Sequence, residues 1–362
     1  MPTYTFYIVK NSVMTFDADL PSAQALAIAE GKITAVGTDA DITALAGSDT
    51  RMIDANGGTV LPGFIDSHVH LFGGSVELDL LDLYGVTGLD AMREKIVPYA
   101  AANPDETLVF CVMADYGILG TGKTPTRHDL DQILSERPLA MFAPDHHTIW
   151  ANTAALKAAG LLNGGQVDAG SEIVMGDDGL ANGELLEPGA YSPILSLTRH
   201  GGRQIMGLTT GKDPEPAATL QQRQMDKDVI ARGLAHCAAQ GITGLHLMDG
   251  NTYQLELLSE LDTEGRLPCR CMVPFHLKGT DPVARLTAEA PEMRDRFRGD
   301  KVWCGHVKMF IDGVIESGTA LMLQPYPGAL GKDGNTGDEV FTQEHFTAAC
   351  VEADRLGFQI AV

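Results

Sequence analysis

The chain has 362 residues, more than the roughly 250 to 300 residues that one hydrophobic core usually serves, so its length predicts two or more modules. Hydrophobic residues make up 44% of the sequence and charged residues 20%, which is typical of a folded protein and excludes a disordered one. The formal net charge of −22 disfavours nucleic acids and anionic membranes as partners, because both are negatively charged.

Residues 1–60 show short strand patterns that are separated by turns. The clearest lie at residues 25–28 and 32–37, and the Glu30-Gly31-Lys32 break between them is typical of a hairpin. These patterns predict a small β-rich module that precedes a larger domain.

The sequence shows no signal for export or membrane insertion. Its first ten residues lack the basic region and apolar segment of a signal peptide, and no apolar run approaches the roughly 18 to 20 residues that span a bilayer. The six cysteines have no disulfide-framework spacing, and the close pair Cys269 and Cys271 is interpreted as strand packing. We therefore expect a cytoplasmic protein with reduced thiols and no membrane partner.

Two histidines end an apolar run at residues 61–70. Pro62 and Gly63 interrupt the chain before this run, which then predicts a buried strand. Residues i and i+2 of a strand point to the same face, so His68 and His70 can converge on one metal ion. The alternative is a pair of surface histidines after a buried strand.

A long insertion separates this strand from the next one of the same kind. The next matching pattern, at residues 241–246, lies about 170 residues after His70, whereas a strand–helix–strand unit needs on the order of 30. Residues 79–222 are therefore predicted to form an inserted lid domain, with strands at 107–113 and 138–143 and a helix at 152–159.

The insertion contains candidate ligand-contacting residues. Residues 147–152 contain an imidazole, an indole ring and an amide, from His147, Trp150 and Asn152. This combination of side chains suits the wall of a pocket that binds a polar ligand. Alternatively, Asp145 or Asn152 caps a helix of a self-contained domain. Glu187 fits a pocket lining and a surface carboxylate equally well.

A lysine interrupts an apolar strand pattern at residues 302–313. A buried lysine is costly unless it is paired or neutralised, and the amine of Lys308 can react with carbon dioxide to form a carbamate that binds divalent cations. The alternative is a lysine whose amine extends to solvent. His306 shares the strand face of Lys308 but is interpreted as a packing residue.

These motifs resemble those of a known family. Residues 62–70 resemble the first barrel strand of the amidohydrolase superfamily. The long insertion, residues 145–152 and residues 307–313 resemble one branch, amidohydrolase family 3, which includes the YtcJ-like and N-substituted formamide deformylase-like proteins. His146 stands where that branch usually has glycine, and Leu247 where an acidic residue is frequent.

The resemblance implies an α/β fold, namely a metal-dependent amidohydrolase TIM barrel. Residues 1–60 would form a small N-terminal β-sandwich module and residues 61–78 the first barrel strand. A large insertion would follow at residues 79–222, and the barrel would continue over residues 223–362. The chain would thus contain the first half of the barrel.

The resemblance also implies a site. His68, His70 and a carboxylated Lys308 would bind one or two divalent metal ions, with zinc expected from the nitrogen and oxygen ligands. Substrate contacts are implied for five residues of the insertion and of the barrel mouth, where sites of this barrel class lie: His147, Trp150, Asn152, Glu187 and Asp312.

The last residues, 356–362, have the pattern of a buried strand. The family continues this strand into a histidine and then a Gly-Asp pair, so we expect two further histidine ligands and a catalytic aspartate beyond Val362. A barrel with half of its strands has open edges. On this reading the sequence is truncated before the C-terminal half, and no catalytic residue is assigned within it.

The expected function is hydrolysis of a C–N bond in a small amide, N-acyl or N-formyl compound by metal-activated water. The partner would be a small-molecule substrate, and association of identical chains stays open. Two alternatives remain. One is an esterase on the same scaffold, and the other is an inactive truncated relative with a binding or regulatory role.

Overall fold

The computed structural model describes residues 6–9, 12–167, 170–315, 318–328, 331 and 334–362. It divides the chain into two compact units, Met1–Phe64 and Ile65–Val362. Within the described residues, no helix is both long and apolar enough to cross a bilayer.

The first unit contains two small sheets and a short helix. Its elements in chain order are Phe6–Val9 (β1), Ser12–Met14 (β2), Ser22–Ala23 (β3), Ala25–Ala29 (β4), Lys32–Gly37 (β5), Asp39–Thr43 (α1), Arg51–Asp54 (β6) and Thr59–Val60 (β7). One sheet has the order β5-β4-β1-β6 and the other β3-β2-β7. The hairpin expected from the sequence is confirmed, because β4 and β5 pair antiparallel around Glu30 and Gly31, which both have positive φ.

The strand Phe64–Val69 (β8) leads into the second unit and is followed by the helix Leu71–Glu77 (α2). The expectation of a buried strand here is wrong, because β8 is largely exposed. The region that follows contains Leu81–Asp82 (β9), Leu89–Ala102 (α3), Val109–Val112 (β10), Arg127–Asp131 (α4), Leu139–Phe142 (β11), Thr148–Ala151 (β12), Thr153–Ala158 (α5), Glu172–Met175 (β13), Ala181–Leu186 (β14), Pro188–Leu195 (α6) and Arg203–Thr209 (α7). Its strands form one mixed sheet in the order β13-β14-β12-β11-β10-β9. β10, β11 and α5 lie within the ranges that the sequence indicated.

The core of this inserted sheet explains why its strands form where they do. β10, β11 and β12 are buried along their whole length, as expected of short apolar runs that are covered on both faces. Their side chains divide between two hydrophobic clusters, one of which includes Phe110 and Phe142 and the other Cys111 and Met141. The insertion therefore has hydrophobic clusters of its own.

The remainder of the chain alternates helices with strands. In chain order it contains Leu220–Ala239 (α8), Ile242–Leu247 (β15), Thr252–Thr263 (α9), Arg270–His276 (β16), Val283–Arg296 (α10), Val302–Lys308 (β17), Gln343–Arg355 (α11) and Gln359–Ala361 (β18). With β8 these strands form a sheet in the order β18-β17-β16-β15-β8. The pairs β15–β16, β16–β17 and β17–β18 are parallel, which confirms the expected parallel half-barrel.

Alternation along these strands separates a core face from an inner face. Leu245, Val273, Phe275 and Val307 pack in one large cluster with residues of the surrounding helices. Residues one position away along each strand point to the opposite face. Cys269 and Cys271 belong to the same cluster and are buried, which confirms their interpretation as packing residues.

Candidate metal centre

The two histidines of the sequence motif lie side by side at the carboxyl end of β8. His68 is exposed, and His70 is the residue from which α2 begins. Their ring centroids are 5.5 Å apart and the ring planes cross at 75°. This arrangement leaves both imidazoles accessible at the end of the sheet where barrel enzymes place their sites.

A buried carboxylate orients the second histidine. The Nδ1 atom of His70 lies 2.5 Å from Oδ1 of Asp249, a residue that is only 2% exposed. Because an ionised carboxylate only accepts hydrogen bonds, this contact assigns the imidazole proton to Nδ1. The Nε2 atom of His70 then keeps its lone pair for a metal ion, as in other metal-binding histidines that carboxylates hold.

Lys308 is the last residue of β17 and is 2% exposed. Its Nζ atom lies 4.5 Å from the centroid of the Phe310 ring. Burial lowers the pKa of Lys308, and the negative charge of Asp249 only partly opposes this effect. A larger fraction of the amine is therefore neutral, which is the form that reacts with carbon dioxide.

His68 lies within electrostatic reach of the same groups. Partial desolvation of the exposed ring lowers the pKa of His68, and the charge of Lys308 lowers it further, against the opposing effects of Asp66 and Asp249. His68, His70, Asp249 and Lys308 thus form one cluster at the carboxyl ends of β8, β15 and β17. A neutral His68 is the form that binds a metal.

The donor atoms of this cluster suit a divalent cation. Among the residues that the structure describes, no group of three or more His, Cys, Asp or Glu side chains is placed to hold a metal ion. The candidate set therefore reaches three ligands only if Lys308 becomes an oxygen donor as its carbamate. Two imidazoles, one carboxylate-like group and an open position would match a catalytic zinc site.

His306 lies two residues before Lys308 and is 1% exposed. Burial lowers its pKa to about 4, so the ring is neutral at ordinary pH. Its ring centroid is 6.4 Å from that of His246. The structure therefore places His306 among buried groups, in keeping with its interpretation as a packing residue.

The structure brings two predicted substrate-contacting residues together in the insertion. Nδ1 of His147 lies 2.8 Å from Oε2 of Glu187, and the backbone N–H of Glu187 donates to the His147 carbonyl oxygen. Both side chains keep some exposure, 25% for His147 and 15% for Glu187. The pair leaves Nε2 of His147 for a polar ligand.

Trp150 lies elsewhere, inside the inserted sheet. Its side chain is fully buried, its ring packs edge-on against Tyr116 at 5.2 Å, and its Nε1–H donates to Glu184 at 3.3 Å. These are the contacts of a core residue. The substrate contact implied for Trp150 gains no support from them.

Asn152 is also fully buried, and it performs the capping role that the sequence left open. Its Oδ1 atom accepts hydrogen bonds from the backbone N–H groups of Ala155 and Leu139, which caps α5. Its Nδ2 group donates to the carbonyl oxygens of Leu134 and Arg137. The side chain is thus saturated by the protein, and its implied substrate contact gains no support.

Asp312 follows β17 at the mouth of the half-barrel. Its Oδ2 atom accepts a hydrogen bond of 2.9 Å from the backbone N–H of Leu321, which ties two parts of one loop together. The side chain is half-buried. A substrate contact by its other carboxylate oxygen stays a prediction.

Sequence reasoning missed Asp249. Leu247 occupies the position where the resemblance implied an acidic residue, and its side chain points into the core. Asp249 lies two residues beyond the end of β15, where strand alternation no longer predicts which way a side chain points. No local spacing could have identified it, because its contact with His70 joins segments 179 residues apart.

Sequence reasoning also left the contact of His146 unidentified. The residue has a φ of +63°, in the left-handed region that favours glycine, which explains why glycine is usual there. Its Nε2 atom lies 2.8 Å from Oε1 of Glu77 at the end of α2. The insertion is therefore linked to the helix that follows His70.

The chain is similar to known proteins along most of its length. The sequence profile described as Amidohydrolase family matches residues 51–362. YtcJ of Bacillus subtilis (strain 168), which is named as an amidohydrolase, is 25% identical over 94% of this chain and 59% of its own length. The N-substituted formamide deformylase of Arthrobacter pascens is 31% identical over 51% of this chain and 34% of its own length.

A solved structure shows the same fold. The crystal structure of an uncharacterized metal-dependent hydrolase from Pyrococcus horikoshii OT3 superimposes with a TM-score of 0.67 at 21% identity, covering 98% of this chain and 64% of that one. The chain belongs to the amidohydrolase family, which confirms the resemblance to its family 3 branch. It spans less than two thirds of the length of these relatives.

Proposed function

We propose that the protein is a metal-dependent hydrolase that cleaves a C–N bond of a small amide, N-acyl or N-formyl compound. The observation that carries this proposal is the cluster at the carboxyl ends of the parallel strands, where His70 contacts Asp249 and both His68 and the buried Lys308 lie within electrostatic range of that carboxylate. Family membership supports the hydrolase class. The name of the Arthrobacter pascens relative, an N-substituted formamide deformylase, supports N-formyl compounds as the first substrates to test.

Each residue of the cluster has a distinct task in this proposal. His68 and His70 bind one or two divalent ions, for which zinc suits the ligand types. Asp249 holds the His70 ring, and Lys308 supplies an oxygen ligand as its carbamate. A divalent ion bound there supplies Lewis-acid chemistry, which activates water and polarises a carbonyl group.

The insertion supplies the substrate-binding part of the proposed site. Glu187 fixes the ring of His147 through Nδ1, so Nε2 is oriented as a single hydrogen-bonding atom for a polar substrate. Asp312 offers a carboxylate oxygen from the loop after β17. These groups would orient a small molecule, whereas the reaction itself depends on the cluster at the strand ends.

The proposal is tested with the purified protein, loaded with Zn²⁺, and a panel of N-formyl amines, N-acetyl amines and esters. The compounds carry the same substituent on the nitrogen or oxygen that leaves. We expect hydrolysis of one or more amides, no hydrolysis after chelation, and none by the His68→Ala variant. A preference for the esters would instead identify an esterase. Tight Zn²⁺ binding without hydrolysis of any compound would contradict the enzymatic proposal and leave the binding role.

A further inference from the structure

Asp249 occupies a position from which it controls the chemistry of His70. It is buried, it lies two residues beyond the end of β15, and Oδ1 of its carboxylate lies 2.5 Å from Nδ1 of His70. A histidine in water favours the tautomer with its proton on Nε2, which is unable to bind a metal through that atom. A carboxylate at Nδ1 selects the opposite tautomer.

The loop that carries Asp249 is held by the insertion. We call residues 207–213, at the end of α7, the strap. The backbone N–H of Gly250 donates to the carbonyl oxygen of Gly207 at 3.1 Å, and Nδ2 of Asn251 donates to that of Lys212 at 2.9 Å. The backbone N–H of Tyr253 donates to Oδ1 of Asp213 at 2.7 Å.

Glycines allow this close approach of backbones. A Cβ atom on Gly250 would overlap the carbonyl oxygen of Pro274 in β16, and one on Gly207 would lie 2.6 Å from Nε2 of Gln254. Asn251, the second residue after Asp249, is fully buried and also caps α9. The loop is therefore enclosed by the strap on one side and by β16 on the other.

We propose that Asp249 is the positioning residue that fixes His70 as its Nδ1–H tautomer, and that the strap holds Asp249 in place. The insertion is then part of the scaffold of the metal centre and not only a cover over it. The consequence for metal binding rests on the proposed function, whereas the tautomer of His70 is a property of the metal-free protein.

The experiment is ¹⁵N NMR of the histidine rings in the metal-free full chain, with His70 assigned by its loss in His70→Gln, followed by Zn²⁺ affinity from competition with a chelator. We expect the Nδ1–H tautomer in the wild type and the Nε2–H tautomer in Asp249→Asn. Loss of the carboxylate should weaken Zn²⁺ binding about 10- to 100-fold.

Two further variants separate the parts of the proposal. Asp281→Asn alters a carboxylate in the loop after β16 that accepts from Lys278 and Arg285, so it should behave as the wild type. Asn251→Asp keeps the acceptor for the N–H of Gln254 but loses the donor to Lys212. It should show mixed tautomers and an affinity between those of the wild type and Asp249→Asn.

The outcomes distinguish the two proposals. An Nε2–H tautomer in the wild-type protein would overturn the role of Asp249, and this measurement is independent of the folding of any variant. Wild-type behaviour of Asn251→Asp would overturn the role of the strap. The expected tautomer in a wild-type protein that binds no Zn²⁺ would instead overturn the proposed function.

Discussion

Lys308 is a lysine that the fold buries almost completely. It is buried at the end of a strand, and burial lowers its pKa. We predict that Lys308→Ala weakens Zn²⁺ binding by more than about 10-fold, because the change removes the nitrogen that carries the carbamate. Chelator competition measures the loss, and added acetate should restore part of it by supplying a carboxylate.

The matched control for this change is Lys301→Ala, near the other end of the same strand. Lys301 is exposed and pairs with Asp262, so its loss should leave Zn²⁺ binding unchanged. If Lys308→Ala bound Zn²⁺ as tightly as the wild type, the carbamate would have no part in the site.

His146 provides a pH-dependent contribution to stability. Burial lowers the pKa of this histidine, but the hydrogen bond and the charge of Glu77, with a further contribution from Asp145, more than offset that effect, so the net pKa is raised. The folded state therefore binds the proton more tightly than the unfolded state. The contribution is fully present below the unfolded pKa of about 6.5 and is lost as pH rises through the folded value.

We predict that His146→Gly removes this part of the pH dependence. Glycine adopts a φ of +63° without strain, so the variant should match the wild type at about pH 8.5 and be less stable at about pH 5.5, by less than about 1 kcal/mol for a partly exposed pair. Urea unfolding at both pH values measures the difference. The exposed His236→Gln is the control, and an equal change in both variants would refute the assignment to Glu77.

At the scale of single residues, the sequence was informative where spacing alone determines contact. His68 and His70 are two apart in one strand, so their shared face follows from the strand itself. Lys308 was recognised because a lysine is costly in an apolar strand. Asp249 and Glu77 meet their histidines only after distant segments pack, and no local pattern states which carboxylate will be adjacent.

Among the elements, α5 shows how one side chain can organise a local structure. Asn152 caps this helix and also bonds to three backbone groups outside it. We predict that Asn152→Ala lowers the free energy of unfolding by about 1 to 2 kcal/mol for the cap and by more in total, because buried backbone groups lose their partners. Chemical denaturation measures the loss.

Thr342→Ala is the matched control, since Thr342 caps α11 at an exposed position. Its loss should cost only the capping part, about 1 kcal/mol. Equal losses in the two variants would show that the contacts of Asn152 beyond its own helix contribute nothing. The sequence identified Asn152 as important but left its two roles open, because a cap and a ligand contact need the same amide.

For the whole molecule, a buried charged network joins three helices. Asp226 of α8 is fully buried and accepts hydrogen bonds from Arg203 of α7, from Tyr253 of α9 and from His200. Burial raises its pKa, but the hydrogen bonds from His200, Arg203 and Tyr253 lower it by more, so the carboxylate stays ionised. The network connects the insertion to the helices of the half-barrel.

We predict that Asp226→Asn lowers the free energy of unfolding by about 3 to 5 kcal/mol, because Arg203 becomes a buried charge without its counter-charge. Asp228→Asn on the same helix is the control. Asp228 pairs with Arg266 near the surface, so its loss should cost less than about 1 kcal/mol. Urea unfolding compares the two, and similar small losses would contradict a structural role for the network.

Chain order has a consequence for the order in which the sheet assembles. Strands β15 to β18 are neighbours in both sequence and space, whereas β8 reaches β15 only across the whole insertion. Long-range pairing closes a larger loop and forms later in folding. β16 is also buried along most of its length, while β8 is largely exposed.

We therefore predict that the amide hydrogens of β8 exchange with solvent through smaller openings than those of β16, as native-state hydrogen exchange would measure. Equal protection of both strands would show that the sheet opens only as a unit. His68 lies on β8 and His70 directly follows it, so an ion bound by both would stabilise this strand against opening. Adding Zn²⁺ should raise protection in β8 before it affects any other strand.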